Sequence, residues 1–235
     1  MSSSWTLVTV SKLSDSAPSV PPSVDTLTAR GRKTRDNVLD AARKVFEEVG
    51  FLETRVEQIA QEASVSYGTF YRYFESKDDV FQELSTRLFD DVHRREPLDP
   101  DLSPAERLIA TNRLYYQAYR RNAKLMAIVE QVATFNTEFR GLRHEHRRQL
   151  IDRTARAIAR WQEQGDVRAS LDPVMAARAM SAMVDHTLYL WLVQGDEADE
   201  ECLLDTLDQM CIGALGLELG ESGTERIDPL ASHAP

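Results

Sequence analysis

The sequence predicts an all-α fold of about nine helices, and three observations carry that expectation. Apolar residues recur at three- and four-residue spacing through most of the chain, and no segment alternates like a strand for long. Helix-start signals recur as well. Thr54 with Glu57, Ser66, Ser76, Ser103-Pro104 with Glu106, and Asp172-Pro173 each place a capping side chain before a helical pattern. At 235 residues, the chain can hold one small helical module plus a larger helical domain with a sizeable core.

The first element is an expected tail over residues 1–30. It is rich in Ser, Pro, Val and Thr, and Pro18, Pro21 and Pro22 interrupt any period. It lacks a charged start followed by a long apolar run, so neither a signal peptide nor a membrane anchor is expected. A helix should follow from about Thr34 to Val49, with Val38, Ala42, Val45, Phe46 and Val49 as its core stripe and Gly50 as its C-cap.

The stretch 54–77 is the most informative part of the chain. Thr54 and Glu57 form a capping box, so a second helix should start at Arg55, with Val56, Ile59, Ala60 and Ala63 as its stripe. Residues 63–66 interrupt that pattern. Ser66 then caps a third helix with Phe70 and Phe74 one turn apart, and Tyr67, Thr69, Arg72 and Tyr73 on the other face. A helix entering the major groove needs small or hydrogen-bonding groups in its first turn. Gly68 removes a side chain there, and Thr69 offers a hydroxyl and a methyl. Tyr71, Arg72 and Lys77 are donors of the kind that hold phosphate oxygens.

Three runs in this region resemble the TetR family of bacterial transcriptional regulators: V-S-Y-G-T-F-Y-R-Y-F-E-S-K-D-D-V at 65–80, V-L-D-A-A-R-K-V-F-E-E-V-G-F at 38–51, and T-R-V-E-Q-I-A from 54. The resemblance is close over roughly 33–90 and covers only helical architecture and length beyond 95. It implies a helix-turn-helix DNA-binding domain over 31–93 and a ligand-binding and dimerisation domain over 94–219. The expected DNA contacts are Arg32, Lys33, Thr54, Arg55, Ser66, Tyr67, Gly68, Thr69, Tyr71, Arg72 and Lys77. Arg30-Gly31-Arg32-Lys33 is either a solvated tail or an arm along the DNA backbone or in the minor groove, as in similar proteins.

The net charge of −10 needs a local count. Residues 30–77 hold nine basic against eight acidic groups, so the acidic excess lies elsewhere, where it would keep the second domain off the duplex. Ser76 caps a fourth helix on Val80, Leu84, Leu88 and Val92, reaching about Arg95. This helix begins beside the expected DNA contact and ends in the second domain.

Five further helices are expected: from Ser103 to about Asn122, over about 123–135, over 137–164, over 173–194 and over about 198–217, with a loose tail at 220–235. Tyr115, Tyr119, Met126, Phe135, Trp161, Met180, Met183, His186 and Tyr189 are either core or, as a set, the lining of an apolar pocket with a few polar groups. The resemblance implies such a pocket among the middle helices. His186 beside Asp185 is its expected polar element. The last helix places Leu203, Leu207, Met210, Cys211 and Ala214 on one face. In similar proteins the last two helices pair with their copies, so Leu203, Leu207 and Met210 are expected at a homodimer interface.

No enzyme signature competes. His144 and His146 are two apart and diverge on a helix, and Arg148 stands where a zinc motif needs its second histidine. There is no G-x-S-x-G, Walker loop or G-x-G-x-x-G. No metal and no cofactor are expected. Two cysteines and no targeting segment indicate the cytoplasm, and Cys202 and Cys211 are spaced too far apart on one helix to bridge. The resulting expectation is a homodimeric, ligand-responsive regulator that binds a palindromic double-stranded operator, most simply a repressor released by a small, largely apolar effector. The alternatives are an activator, or a helical adaptor without a small-molecule ligand.

Overall fold

The computed structural model describes residues 26–94 and 97–218; of the tail expected over 1–30, residues 1–25 lie outside them, as does the tail expected over 220–235, while Ala29 and Arg30 are already helical. Nine α-helices and one π-helical turn account for the regular structure, with no strand among the described residues.

Helix α1 (Ala29–Glu53) starts earlier than the apolar stripe predicts, because Thr28 Oγ1 accepts a hydrogen bond from the Gly31 N–H at 3.1 Å. Arg30, Arg32 and Lys33 are therefore helical, not an extended arm. At Gly50 the backbone takes φ 80°, a conformation that costs glycine little, and the last residues of α1 turn away from its axis. That bend leaves Val49 exposed, against its expected core position, and directs Phe51 inward.

Phe46, Phe51, Phe81 and Phe139 form one aromatic cluster, with ring centroids 4.8 Å apart for Phe51–Phe81 and 5.0 Å for Phe81–Phe139. Phe81 belongs to α4 (Lys77–Val92) and Phe139 to the first turn of α7 (Thr137–Gln164). A residue from the carboxy-terminal half thus completes the amino-terminal core. Rings in such edge and tilted contacts add about 0.5–1.5 kcal/mol per pair beyond burial.

Helix α2 (Val56–Glu62) begins one residue later than predicted. Its N-terminus is held by Gln58, whose Oε1 accepts from the Arg55 N–H at 2.7 Å, in place of the expected Thr54–Glu57 box. Thr54 is buried and donates its hydroxyl to the Gly50 carbonyl at 2.7 Å. The turn into α3 (Tyr67–Tyr71) is a Schellman motif: the Val65 N–H reaches the Ala60 carbonyl at 2.9 Å and the Ser64 N–H reaches Gln61 at 3.0 Å. Ser64 takes the left-handed position at φ 54°, where glycine is the usual residue. Asn37 Nδ2 donates to the Ala63 carbonyl at 2.7 Å and ties this turn to α1.

The other helices are α5 (Pro104–Arg121), α6 (Ala123–Phe135), α8 (Pro173–Tyr189) and α9 (Glu200–Leu215). Ser103, Asn136, Asp172 and Asp199 cap α5, α7, α8 and α9 through their side chains. Helix α8 ends sooner than expected, widening into a π-helical turn over Leu190–Gln194 before Gly195 at φ 84°. Buried Asn122 stands where α1, α4 and α5 meet. Its Nδ2 donates to Asp91 (3.0 Å) and to the Ala118 carbonyl (2.8 Å), and its Oδ1 accepts from Arg43 (3.0 Å).

Candidate nucleic-acid interface and internal cavity

Helix α3 buries Phe70 and turns Tyr67, Gly68, Tyr71 and Arg72 to solvent. Ser66 Oγ caps the Thr69 N–H (3.1 Å) and also pairs with Thr69 Oγ1 (2.8 Å), which fixes the first turn. The hydroxyls of Tyr67 and Tyr71 lie 3.1 Å apart, with their rings edge to face. A Cβ added at Gly68 would meet nothing within 4 Å, so the backbone there is open to a close approach from outside. Arg55 and Lys33 are exposed on neighbouring elements, and Arg32 donates to the Leu27 carbonyl at 2.7 Å.

Two expected contacts do not reach this face. Thr54 is buried under the α1 bend. Lys77 places its ammonium on the carbonyls of Phe51 (2.8 Å), Thr54 (2.9 Å) and Leu52 (3.2 Å), 4.8 Å from the centroid of the Phe51 ring. It caps the bent end of α1, where carbonyls lack helical partners. Arg35 is likewise internal, in an ion pair with Glu83 and stacked 4.6 Å from the Phe74 ring centroid.

An open cavity of about 520 Å³ with a mixed polar and apolar lining lies between α5, α7, α8 and α9. Of the nine residues predicted for a pocket, Tyr115, Trp161 and Met180 line it. Leu108, Ile158 and Leu215 complete its apolar wall, with Asn112 and Cys211 as polar groups at depth. Burial pushes the Cys211 thiol up to about 11. The remaining predicted residues lie elsewhere. Tyr119 is buried core, Met126 flanks a small neighbouring space, Met183 is half-buried and Phe135 is 48% exposed. His186 and Tyr189 face an outer groove, stacked on each other.

The polar centre near the cavity is Asp185, not His186. It accepts from Tyr115 (2.9 Å) and Arg147 (2.6 Å), and Arg143 approaches it at 3.5 Å while pairing with Glu130. Burial and the Asp185 charge hold the Tyr115 hydroxyl well above the usual phenol range. His146 stacks on Phe89 at 4.6 Å, and no group of three or more metal-binding side chains occurs among the described residues.

Sequence reasoning missed the arginines of this cavity. Arg153, Arg156 and Arg160 follow i, i+3, i+7 spacing on α7, and Arg107 and Arg94 join them from α5 and the end of α4. That spacing was the available signal. Nothing in the local pattern marks Asn112 or Cys211.

Helix α9 divides its apolar residues between two faces. Leu204, Leu207, Cys211, Ile212 and Leu215 pack into their own subunit, with Leu207 only 5% exposed. Met210 is 53% exposed, on a side shared with half-buried Leu203 and with Gly213 and Ala214. Leu207 therefore does not belong to the open stripe predicted for it. Met175, Ala179, Ala182 and Leu190 form a comparable open stripe along α8 and its π turn.

The short exposed helix α3 behind a tight turn, packed on α2, is the helix-turn-helix arrangement of DNA-binding regulators. Residues 38–84 match the family described as bacterial regulatory proteins, tetR family. The chain is 28% identical over 154 residues to the A-factor receptor protein of Streptomyces griseus, across 66% of this chain and 53% of that protein, so it matches about half of that relative's length. It is 20% identical over 181 residues to the fatty acid metabolism regulator protein of Bacillus subtilis (76% of this chain, 93% of that one). Among solved structures, the fatty acid degradation regulator FadR of Bacillus halodurans superposes with TM-score 0.64 at 26% identity, covering 79% of this chain and 97% of that one. The chain thus carries a TetR-type DNA-binding region at 38–84, and the relatives it resembles are transcriptional regulators.

Proposed function

We propose that this chain is a homodimeric repressor whose α3 helices read the two halves of a palindromic operator and whose cavity takes a small effector that releases the DNA. The DNA-binding unit spans 31–93 and the effector and dimerisation unit 94–219. Tyr67, Gly68 and Thr69 read base edges, with Ser66 fixing their turn. Arg32, Lys33, Arg55, Tyr71 and Arg72 hold phosphates. Protomers pair through the open stripes of α8 and α9, which gives each reading helix its matching half-site. The protein acts in the cytoplasm, where both cysteines stay reduced.

One observation carries this reading: α4 runs from Lys77, which holds the end of α1 behind the reading unit, to Val92 in the cavity wall. An effector that favours a DNA-incompetent position of α4 would change DNA affinity by about 5–150-fold, the range of ordinary coupling energies. The volume suits a drug-sized molecule. Relatives named for fatty acid metabolism and degradation agree with an apolar occupant.

The test is fluorescence anisotropy with genomic duplexes at two salt concentrations. Specific binding should appear as nanomolar affinity for a few palindromes above a salt-sensitive background. Equal affinity for all duplexes, or none, rules out operator recognition.

A further inference from the structure

Five arginines line the cavity: Arg94, Arg107, Arg153, Arg156 and Arg160. Among the described residues no carboxylate lines it, although the chain as a whole carries net charge −10. Arg156 and Arg160 are exposed and have no carboxylate partner among the described residues. Arg107 donates to the Asp99 and Pro100 carbonyls (2.9 and 3.2 Å), and Arg94 stands 3.4 Å from Asp91. Behind this rim Leu108, Ile158, Trp161, Met180 and Leu215 are buried and apolar.

Like charges gathered at the mouth of an apolar space repel one another and raise the local potential for anions. Guanidinium groups on three elements can meet several oxygens of one phosphate or carboxylate in paired hydrogen bonds. Among the described lining residues a cation would find no counter-charge, and a neutral apolar molecule would leave the rim unused. From this arrangement we infer that the effector is an amphipathic anion, with an apolar chain in the cavity and a phosphate or carboxylate head on the arginine rim. This rests on the effector reading of the cavity proposed above, and adds the charge and shape of the molecule. Arg153 also donates to the His93 carbonyl at 2.7 Å, so a bound head lies beside the end of α4.

The test uses the full chain and matched probes below their micelle thresholds: decyl phosphate, decanoate, decanol and decyltrimethylammonium. Binding is read from the fluorescence of Trp161, with Trp161→Phe as the signal control, and from calorimetry. The anions should bind on the order of 10- to 100-fold more tightly than the alcohol or the cation, since hydrogen bonds to charged groups carry that range. Their advantage should shrink with added salt, because the rim is exposed. Arg156→Ala with Arg160→Ala should bring the anions close to the alcohol without changing alcohol binding. Both sites are exposed, so the fold should persist. Val184→Trp should block every probe. Equal binding of all four, abolished by Val184→Trp, overturns the anionic head and leaves the cavity as an effector site. Absence of binding by every probe overturns both.

Discussion

The two recognition sites proposed for this chain are built at different ranges in sequence. The proposed reading face is local: Ser66 to Arg72 carry it on one helix, and a Schellman turn, a serine cap and buried Phe70 orient it. The cavity is assembled at long range, with Leu108 and Leu215 in one wall, from α5 and α9. A local device leaves its signature in spacing. A long-range one leaves only amphipathic helices, each compatible with several packings.

The largest effect should come from Leu207. It is buried against α5 and α8, so Leu207→Glu should place a charge in the subunit's own core and cost about 4 kcal/mol or more of stability. Met210→Glu, three residues on, should leave the fold intact and give monomers by sedimentation, with weakened operator binding. A folded dimer of Met210→Glu would place the subunit contact elsewhere.

Lys77→Ala should cost about 2–3 kcal/mol in urea unfolding, since three carbonyls lose a charged donor. The salt slope of DNA binding by the folded fraction should not move. A slope lowered by about one unit would instead return Lys77 to a phosphate.

Thr69→Ala or Tyr67→Ala should leave stability nearly unchanged and cost about 1–3 kcal/mol of affinity at particular base pairs. A randomised-site selection with wild-type preferences for both would remove α3 as the reader.

A pH titration bears on the junction between the halves. His93 ends α4, and burial, helped by the charges of Arg153 and His146, lowers its pKa from 6.5 to about 4. The folded state thus keeps it neutral where the unfolded chain takes a proton. Its contribution to stability is complete above about pH 6.5 and is lost as pH falls to about 4, with a slope approaching ~1.4 kcal/mol per pH unit inside that window. His93→Gln should flatten the wild-type slope there in parallel chemical denaturations.

The smallest effect belongs to Ser64. Ser64→Gly should relieve a left-handed backbone and raise stability by about 0.5–1 kcal/mol, read as a higher urea midpoint.

How much was legible in the sequence follows the same division. The helices, most of their caps and most of the α3 face could be read from periods of three and four and from serine, aspartate and proline placement, but Tyr73, expected on that outer face, is buried in the core. The boundary at Thr54 could not, because Thr54 and Gln58 both offer plausible caps and the bend at Gly50 decides between them. Lys77 has the residue type of a phosphate contact, and only the folded backbone brings three carbonyls to it. On α9, Leu207 and Met210 are equally apolar and one turn apart. The Asn112–Asp208 and Arg113–Asp208 contacts (2.9 and 3.0 Å) draw Leu207's side against α5, and Met210 is left outside. Tyr115, Trp161 and Met180 are legible as cavity residues because aromatic and sulfur side chains suit such a lining, whereas charges on a helix usually face water, so the arginine rim carries no comparable signal.

The engagement of Lys77 also has a consequence for reagent chemistry. An amine acylates through its nitrogen, and the Lys77 nitrogen is shielded by the three carbonyls it donates to. Amine-directed labelling of the native protein should therefore modify exposed Lys33 and Lys44 readily and Lys77 last, as unfolding begins. Its labelling rate would then report how often the bent end of α1 opens, at single-residue resolution and without any DNA present.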